Sequence, residues 1–277
     1  MQRITINAAS LVTKRVFDTM LAMSHAQTFS YPKTIPEDEH WWFATRTWAI
    51  EKFLEGLPQK NNLDVLDVGC GAGNMIHHLA RYGRVRGIEV DARPVNIAQQ
   101  RGYDVRLGDA TKEIPFPDAS FDLVTALDVI EHVDADENIL REAFRVLRPN
   151  GHLLLTTPAF QWLWSRNDEL NAHKRRYTAR EIREIMERVG FGVERLSYNF
   201  FLVFPLAAGM IALKNLTGKN AALKSHHFDD DAYQVDMEPV APALNSILRG
   251  VGQVENGLLG AMNLPLGTSL IALGKKM

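Results

Sequence analysis

The chain has 277 residues, 46% of them hydrophobic and 23% charged, with a formal net charge of −2. That is enough apolar material for a full core and too little positive charge for a protein that grips nucleic acid through many phosphate contacts. The lone cysteine, Cys70, excludes an internal disulfide; with no leader of charged then apolar residues, the expected location is cytoplasmic.

Residues 1–36 carry a weak helical pattern. Residues 37–56, with Trp41, Trp42, Phe43, Trp48, Ile50 and Leu54, read as an amphipathic helix able to lie over a sheet. From residue 63 onward short β-rich runs alternate with helix-period segments, the rhythm of βαβ units in a parallel sheet. Strands are expected at 63–68, 84–90, 103–107, 120–127 and 151–157, with helices at 73–82, 93–101 and 135–147, the last capped by Asp134 with Glu137. Thr178 with Glu181 repeats the capping spacing and opens a helix ending before Gly190; strands follow at 191–198 and 267–276. Between these last two strands lie about 65 residues. They hold the apolar run 200–213, broken by Pro205, a polar stretch 226–239 expected to be a loop, and a weakly amphipathic piece 244–262. No apolar run reaches the roughly 20 residues needed to span a bilayer. The expected organisation is a helical N-terminal cap at 1–62, a core of 63–198 with 266–277, and an insertion at 199–265. Extra core, a homodimer surface, a lid and a patch at a membrane surface all remain open for that insertion.

The stretch LDVLDVGCGAGN, 63–74, is the most informative. Gly69, Gly71 and Gly73 follow a strand and precede a helix, where an open parallel sheet binds its ligand. A dinucleotide fingerprint fails, because its third glycine falls on Asn74, and a P-loop fails for want of Gly-Lys-Ser/Thr. Asp67 would repel a pyrophosphate and welcome an ammonium.

Through VLDVGCGAG at 65–73 the chain resembles the class I S-adenosylmethionine-dependent methyltransferases, and the resemblance continues through GIEVD (87–91), GDA (108–110) and FDLVTALDVIEHV (121–133). It implies a doubly wound, mostly parallel seven-stranded α/β sheet and S-adenosyl-L-methionine as cofactor. By the same resemblance Asp67, Gly69, Cys70, Gly71 and Gly73 hold the methionyl part. Glu89 takes the ribose hydroxyls, Asp109 and Ala110 meet the adenine, and Leu127 closes the fourth-strand side. EHWWFATR (39–46) is similar to the aromatic helix before the core in ubiquinone-biosynthesis-like small-molecule methyltransferases, which makes Arg46 a candidate for the cofactor carboxylate; covering the tryptophans is its other reading.

Methyl transfer is an in-line displacement that needs alignment, water exclusion and, for a hydroxyl acceptor, a proton acceptor. His132 and His173 lie in loops expected on the cofactor side and are the candidate catalytic bases; Tyr177, Asp128 and Glu131 are further candidates. The expected metal content is none, since no cluster of acid and amide ligands assembles from the sequence. The Asn/Asp-Pro-Pro-aromatic signature of nucleic-acid amino methylases is absent, so the expected partner is a small or lipid-like acceptor and not nucleic acid. HKRRY (173–177) could meet an anionic group on it. The expected reaction is O-methylation; an N- or C-methyltransferase, or a non-catalytic cofactor-binding partner protein, stand as alternatives.

Overall fold

Branched residues alternating with small or polar ones build a seven-stranded sheet in the computed structural model, which describes residues 36–57, 62–217 and 240–277. The strands are β1 (Leu63–Val68), β2 (Gly83–Glu89), β3 (Val105–Leu107), β4 (Phe121–Leu127), β5 (Leu147–Pro158), β6 (Phe191–Asn199) and β7 (Ser269–Lys276). Their order is β3-β2-β1-β4-β5-β7-β6. The first five run parallel, and β7 lies antiparallel between β5 and β6. The strand order reverses at β1 and β4, so a crevice opens beyond their carboxyl ends. Leu66, Val68, Val124, Leu153 and Leu155 are buried in the main core beneath the helices Asp136–Val146 and Ala179–Val189. The sheet and both end strands fall where the alternating pattern expects them.

Three local expectations need correction. The helix expected over 73–82 is only Ile76–Leu79, because Gly71 (φ +53°) and Gly73 (φ +84°) hold the preceding residues in turns. The helix Asp136–Val146 has Ala135 at its N-cap and no side-chain cap, since Asp134 is drawn away to Lys174. A short helix, Arg166–Leu170, stands in the connection after β5 where none was expected. The Thr178–Glu181 capping box and the left-handed cap at Gly190 are as expected. The weak helix of 1–36 and the loop of 226–239 lie outside the described residues, apart from a 3-10 turn at Pro36–Glu39.

The expected aromatic helix is Trp41–Leu54, with Ile50, Phe53 and Leu54 buried. Across it lies the helix Pro242–Ala261. Asn245 ties the two together: its Oδ1 accepts from the Trp41 N–H at 2.9 Å and its Nδ2 donates to the Glu39 carbonyl at 2.9 Å. Arg249 covers the Trp48 ring at 5.3 Å. The helices approach closest at Gly252, where an added Cβ would sit 2.1 Å from Thr45 Oγ1. Leu206, Met210 and Leu213 on the helix Phe204–Thr217 are exposed, as are Ile247 and Val254 on Pro242–Ala261. Among the described residues no helix is long and apolar enough to cross a membrane.

The crossing predicts opposite outcomes for two neighbouring glycines. Gly252→Ala should lower the unfolding free energy by about 1–3 kcal/mol through overpacking. Gly250→Ala, where an added Cβ meets nothing within 4 Å, should raise it by about 0.5–1 kcal/mol through helix propensity. Urea unfolding of both variants checks the pair.

Candidate active site

β1 delivers Asp67 to the floor of a cavity of about 750 Å³. Its walls come from the start of the aromatic helix (Trp41, Trp42, Phe43, Arg46), the glycine bend, the end of β4 (Leu127, Asp128, Glu131, His132) and the segment after β5 (Asn167, Asn171, His173). Asp67 is 2% exposed and accepts from Thr125 Oγ1 at 2.6 Å. Burial raises its pKa to about 6; the Thr125 hydrogen bond and the charge of Arg46 limit the rise.

A strand-to-helix turn is generally expected to present free N–H groups, but the first three of the bend after Asp67 are engaged within the protein. The N–H groups of Gly69 and Cys70 both donate to the Ile88 carbonyl, at 2.8 and 3.1 Å. That of Gly71 donates to Glu89 Oε2 at 3.0 Å. At Gly69 and Gly71 a cation would find a side-chain-free floor next to a carboxylate. The glycines divide their work. At Gly69 (φ +65°) a Cβ would stand 2.7 Å from Val129 Cγ2, so the bend can press against the β4 loop only without one. Gly73 makes room for Tyr103, 2.3 Å from where its Cβ would be, and does not line the cavity. Cys70 is buried with its thiol pKa pushed up by burial, which makes it inert.

Arg46, Asp67, Gly69, Cys70, Gly71, Leu127, His132 and His173 therefore come together around one cavity. Glu89, Asp109 and Ala110 stand beside it rather than in its wall. Glu89 reaches the bend through Gly71, accepts from the N–H groups of Val90 and Asp91 at 2.8 and 3.1 Å, and its carbonyl accepts from Gly108 at 2.9 Å. Asp109 accepts from Thr111 Oγ1 at 2.6 Å and pairs with Lys112 at 3.1 Å; these hydrogen bonds hold its pKa low. Arg46 lies over the tryptophans, its guanidinium 5.7 Å from the Trp42 ring centre, and pairs with Asp128 at 2.7 Å. Asp128 takes a left-handed conformation (φ +57°) as β4 turns into the loop carrying Glu131 and His132.

Opposite the bend the cavity is polar. The rings of His132 and His173 stand edge to face, 4.8 Å between centres. His173 Nδ1 bonds Asp168 Oδ1 at 2.9 Å; a carboxylate can only accept, so Nδ1 is the donor and the ring is held in one orientation. Burial alone would raise the Asp168 pKa, but hydrogen bonds from His173 and Arg176 outweigh it and hold the carboxyl well below its usual range. Asp168 was not singled out from the sequence; only the Ser165-x-x-Asp168 capping spacing marks it. Burial, followed by the neighbouring His173, lowers the pKa of His132 against the opposing influence of Asp128 and the backbone of Asn171 and Ala172. Glu131 is fully buried, and burial together with Asp128 raises its pKa. The expected anion-binding role of 173–177 needs revision. Lys174 pairs with Asp134, Arg175 with Asp136 at 3.2 Å, and Arg176 with Asp168 at 2.7 Å, so these cations serve internal acids. Tyr177 bonds Asp136 at 2.7 Å, outside the cavity wall.

A methyltransferase-domain family model matches residues 66–155. A probable S-adenosylmethionine-dependent methyltransferase of Mycolicibacterium smegmatis is 35% identical over 62% of this chain and 68% of its own length. The chain belongs to the class I S-adenosylmethionine-dependent methyltransferases. A 27-O-demethylrifamycin SV methyltransferase of Amycolatopsis mediterranei is 36% identical over 43% of this chain and 47% of its own length. A methyltransferase structure from Thermotoga maritima shares the fold, with a TM-score of 0.52 and 20% identity over 86% of this chain and 91% of that one. Both oxygen- and nitrogen-methylating enzymes are among the relatives. The residues present fit the cofactor: a buried acid suits its ammonium, the side-chain-free bend suits the methionyl chain, and the cavity has room for a second molecule.

In this methyltransferase the raised Asp67 pKa has a consequence for stability. The unfolded carboxyl titrates near 3.8 and the folded one near 6. The folded form therefore holds the extra proton between these values, and stability falls as pH rises through that window and stays lower above it. Asp67→Asn should be more stable than the parent by about 1–3 kcal/mol at pH 8 and nearly equal to it at pH 4. Equal unfolding free energies of parent and variant at pH 8 would show that the buried charge costs nothing.

Proposed function

We propose that the protein methylates a hydroxyl oxygen of a small, partly apolar acceptor. Supporting this is the placement, around one cavity, of Asp67, the bend and a His173 ring oriented through its Nδ1. Asp67 receives the cofactor ammonium and Arg46, freed in part from Asp128, its carboxylate; Gly69, Cys70 and Gly71 form the floor beneath the methionyl chain. Glu89 turns its remaining lone pairs to the ribose, with Asp109, Ala110 and Leu127 around the base. S-adenosylmethionine supplies an electrophilic methyl, and its C–S bond breaks with the electron pair left on sulfur as the acceptor oxygen forms the new C–O bond. Trp41, Trp42 and Phe43 give the acceptor an apolar wall and exclude water. His132 and His173 form the pole through which the acceptor proton leaves. The relative named for an O-demethyl antibiotic substrate supports an oxygen acceptor. Within the insertion, the helix Pro242–Ala261 acts as a brace, holding the aromatic helix and the turn before it through Asn245 and Arg249.

The reading is tested with a panel of hydroxylated and amine acceptors and a cofactor carrying an isotopically labelled methyl. His132→Ala and His173→Ala should each lower turnover by about 10²–10⁴-fold while leaving S-adenosylhomocysteine binding unchanged, with the label on oxygen. Turnover that survives both replacements together, with the label on nitrogen or carbon, would favour an electron-rich acceptor that needs no proton removed.

A further inference from the structure

The cavity as a whole holds more acid than its bases balance. Asp67, Asp128 and Glu131 line it. Arg46 pairs with Asp128, and Arg176 is engaged by Asp168. The cofactor brings a single net positive charge, and its ammonium is assigned above to Asp67. Glu131 is left over. Its Oε2 accepts from Thr157 Oγ1 at 3.2 Å, while Oε1 is buried with no hydrogen-bond partner. A carboxylate oxygen in that position is costly unless a cation stands in front of it.

We propose that Glu131, His132 and His173 bind one first-row divalent cation on the acceptor side of the cavity. One donor atom from each lies within 4.8 Å of the others, so small side-chain rotations bring all three onto a single ion. His173 is already committed in the manner of a metal-binding histidine, whose other ring N–H is held by a carboxylate or a carbonyl. It gives Nδ1 to Asp168, leaving Nε2 for the ion. Two imidazoles with one carboxylate suit Zn²⁺ or Mn²⁺, whereas Mg²⁺ and Ca²⁺ prefer all-oxygen shells. Three protein ligands leave a position open towards the cavity. For catalysis the inference rests on the oxygen-acceptor reading. A hydroxyl entering the open position is acidified and passes its proton to solvent water, so both histidines act as ligands rather than as direct bases. Binding of the ion does not depend on that reading.

A second cluster, Asp38 with His77 and His78, also gathers donors. There both Asp38 oxygens are hydrogen-bonded to a histidine Nε2, each at 2.8 Å, so its carboxylate is already engaged and the cluster serves as the control.

The test titrates chelator-treated full-length protein with ZnCl₂ or MnCl₂ alone, measuring stoichiometry by elemental analysis and affinity by calorimetry. One equivalent should bind to the parent and to His78→Ala. Glu131→Gln and His173→Ala should each weaken binding at least 100-fold while still binding S-adenosylhomocysteine, which shows that they fold. Should Glu131→Gln fail to fold, His173→Ala decides. No bound equivalent in the parent, or loss in His78→Ala with retention in His173→Ala, would overturn the site. A label on nitrogen with ion binding intact would sink the oxygen reading alone; an oxygen label made at full rate by chelated enzyme would overturn the ion's catalytic role.

Discussion

The rest of the site depends on one unfavourable placement, an ionisable carboxyl at the inner end of β1. Asp67 is almost fully enclosed, and its neighbours supply only one hydroxyl hydrogen bond and one guanidinium at a distance. Left alone, such a group resists ionising near neutral pH. It acquires a use when a cationic ligand arrives, because the charge then has a partner in a medium that screens it weakly. The bend next to it is complementary by omission. The N–H groups of Gly69, Cys70 and Gly71 are already satisfied by Ile88 and Glu89, and at the two glycines no side chain blocks the floor.

Around this floor the protein sets opposite characters at opposite ends. The aromatic helix provides an apolar wall and is fixed from behind by the helix Pro242–Ala261 at a crossing that tolerates only glycine at position 252. Across the cavity the loops after β4 and β5 supply Glu131, His132 and His173, held from outside by Asp168 and the bidentate grip of Arg176 on it. In the proposed reaction the acceptor lays its apolar body against tryptophan and its polar atom against imidazole. Methyl transfer needs that alignment more than it needs any strong reagent from the protein.

Much of the frame was legible in the sequence because it is encoded locally. The period-two runs, the glycines after β1 and the Thr178–Glu181 cap each act within a few residues of themselves. So does the left-handed cap at Gly190. What escaped was convergence at long range. Asp168 lies in a short polar helix with no apolar period to announce it, and its importance comes from contacts with His173 and Arg176 that only the folded loop creates. The gathering of Glu131 with two histidines requires loops about 40 residues apart to meet beyond adjacent strands. The basic run 173–177 looked like an anion site because its acids, Asp134, Asp136 and Asp168, are distant or inconspicuous in the chain. Asp134 likewise looked like a helix cap until Lys174 claimed it.

The central claim, that an ionised Asp67 grips the cofactor's ammonium, is tested most directly by calorimetric titration of S-adenosylhomocysteine into the parent protein and Asp67→Asn at pH 5 and pH 8. The account predicts parent affinity about tenfold tighter at pH 8, as the carboxyl loses its proton, and a variant that binds weakly at both values with no such dependence. A variant that binds as tightly as the parent at pH 8 would contradict it.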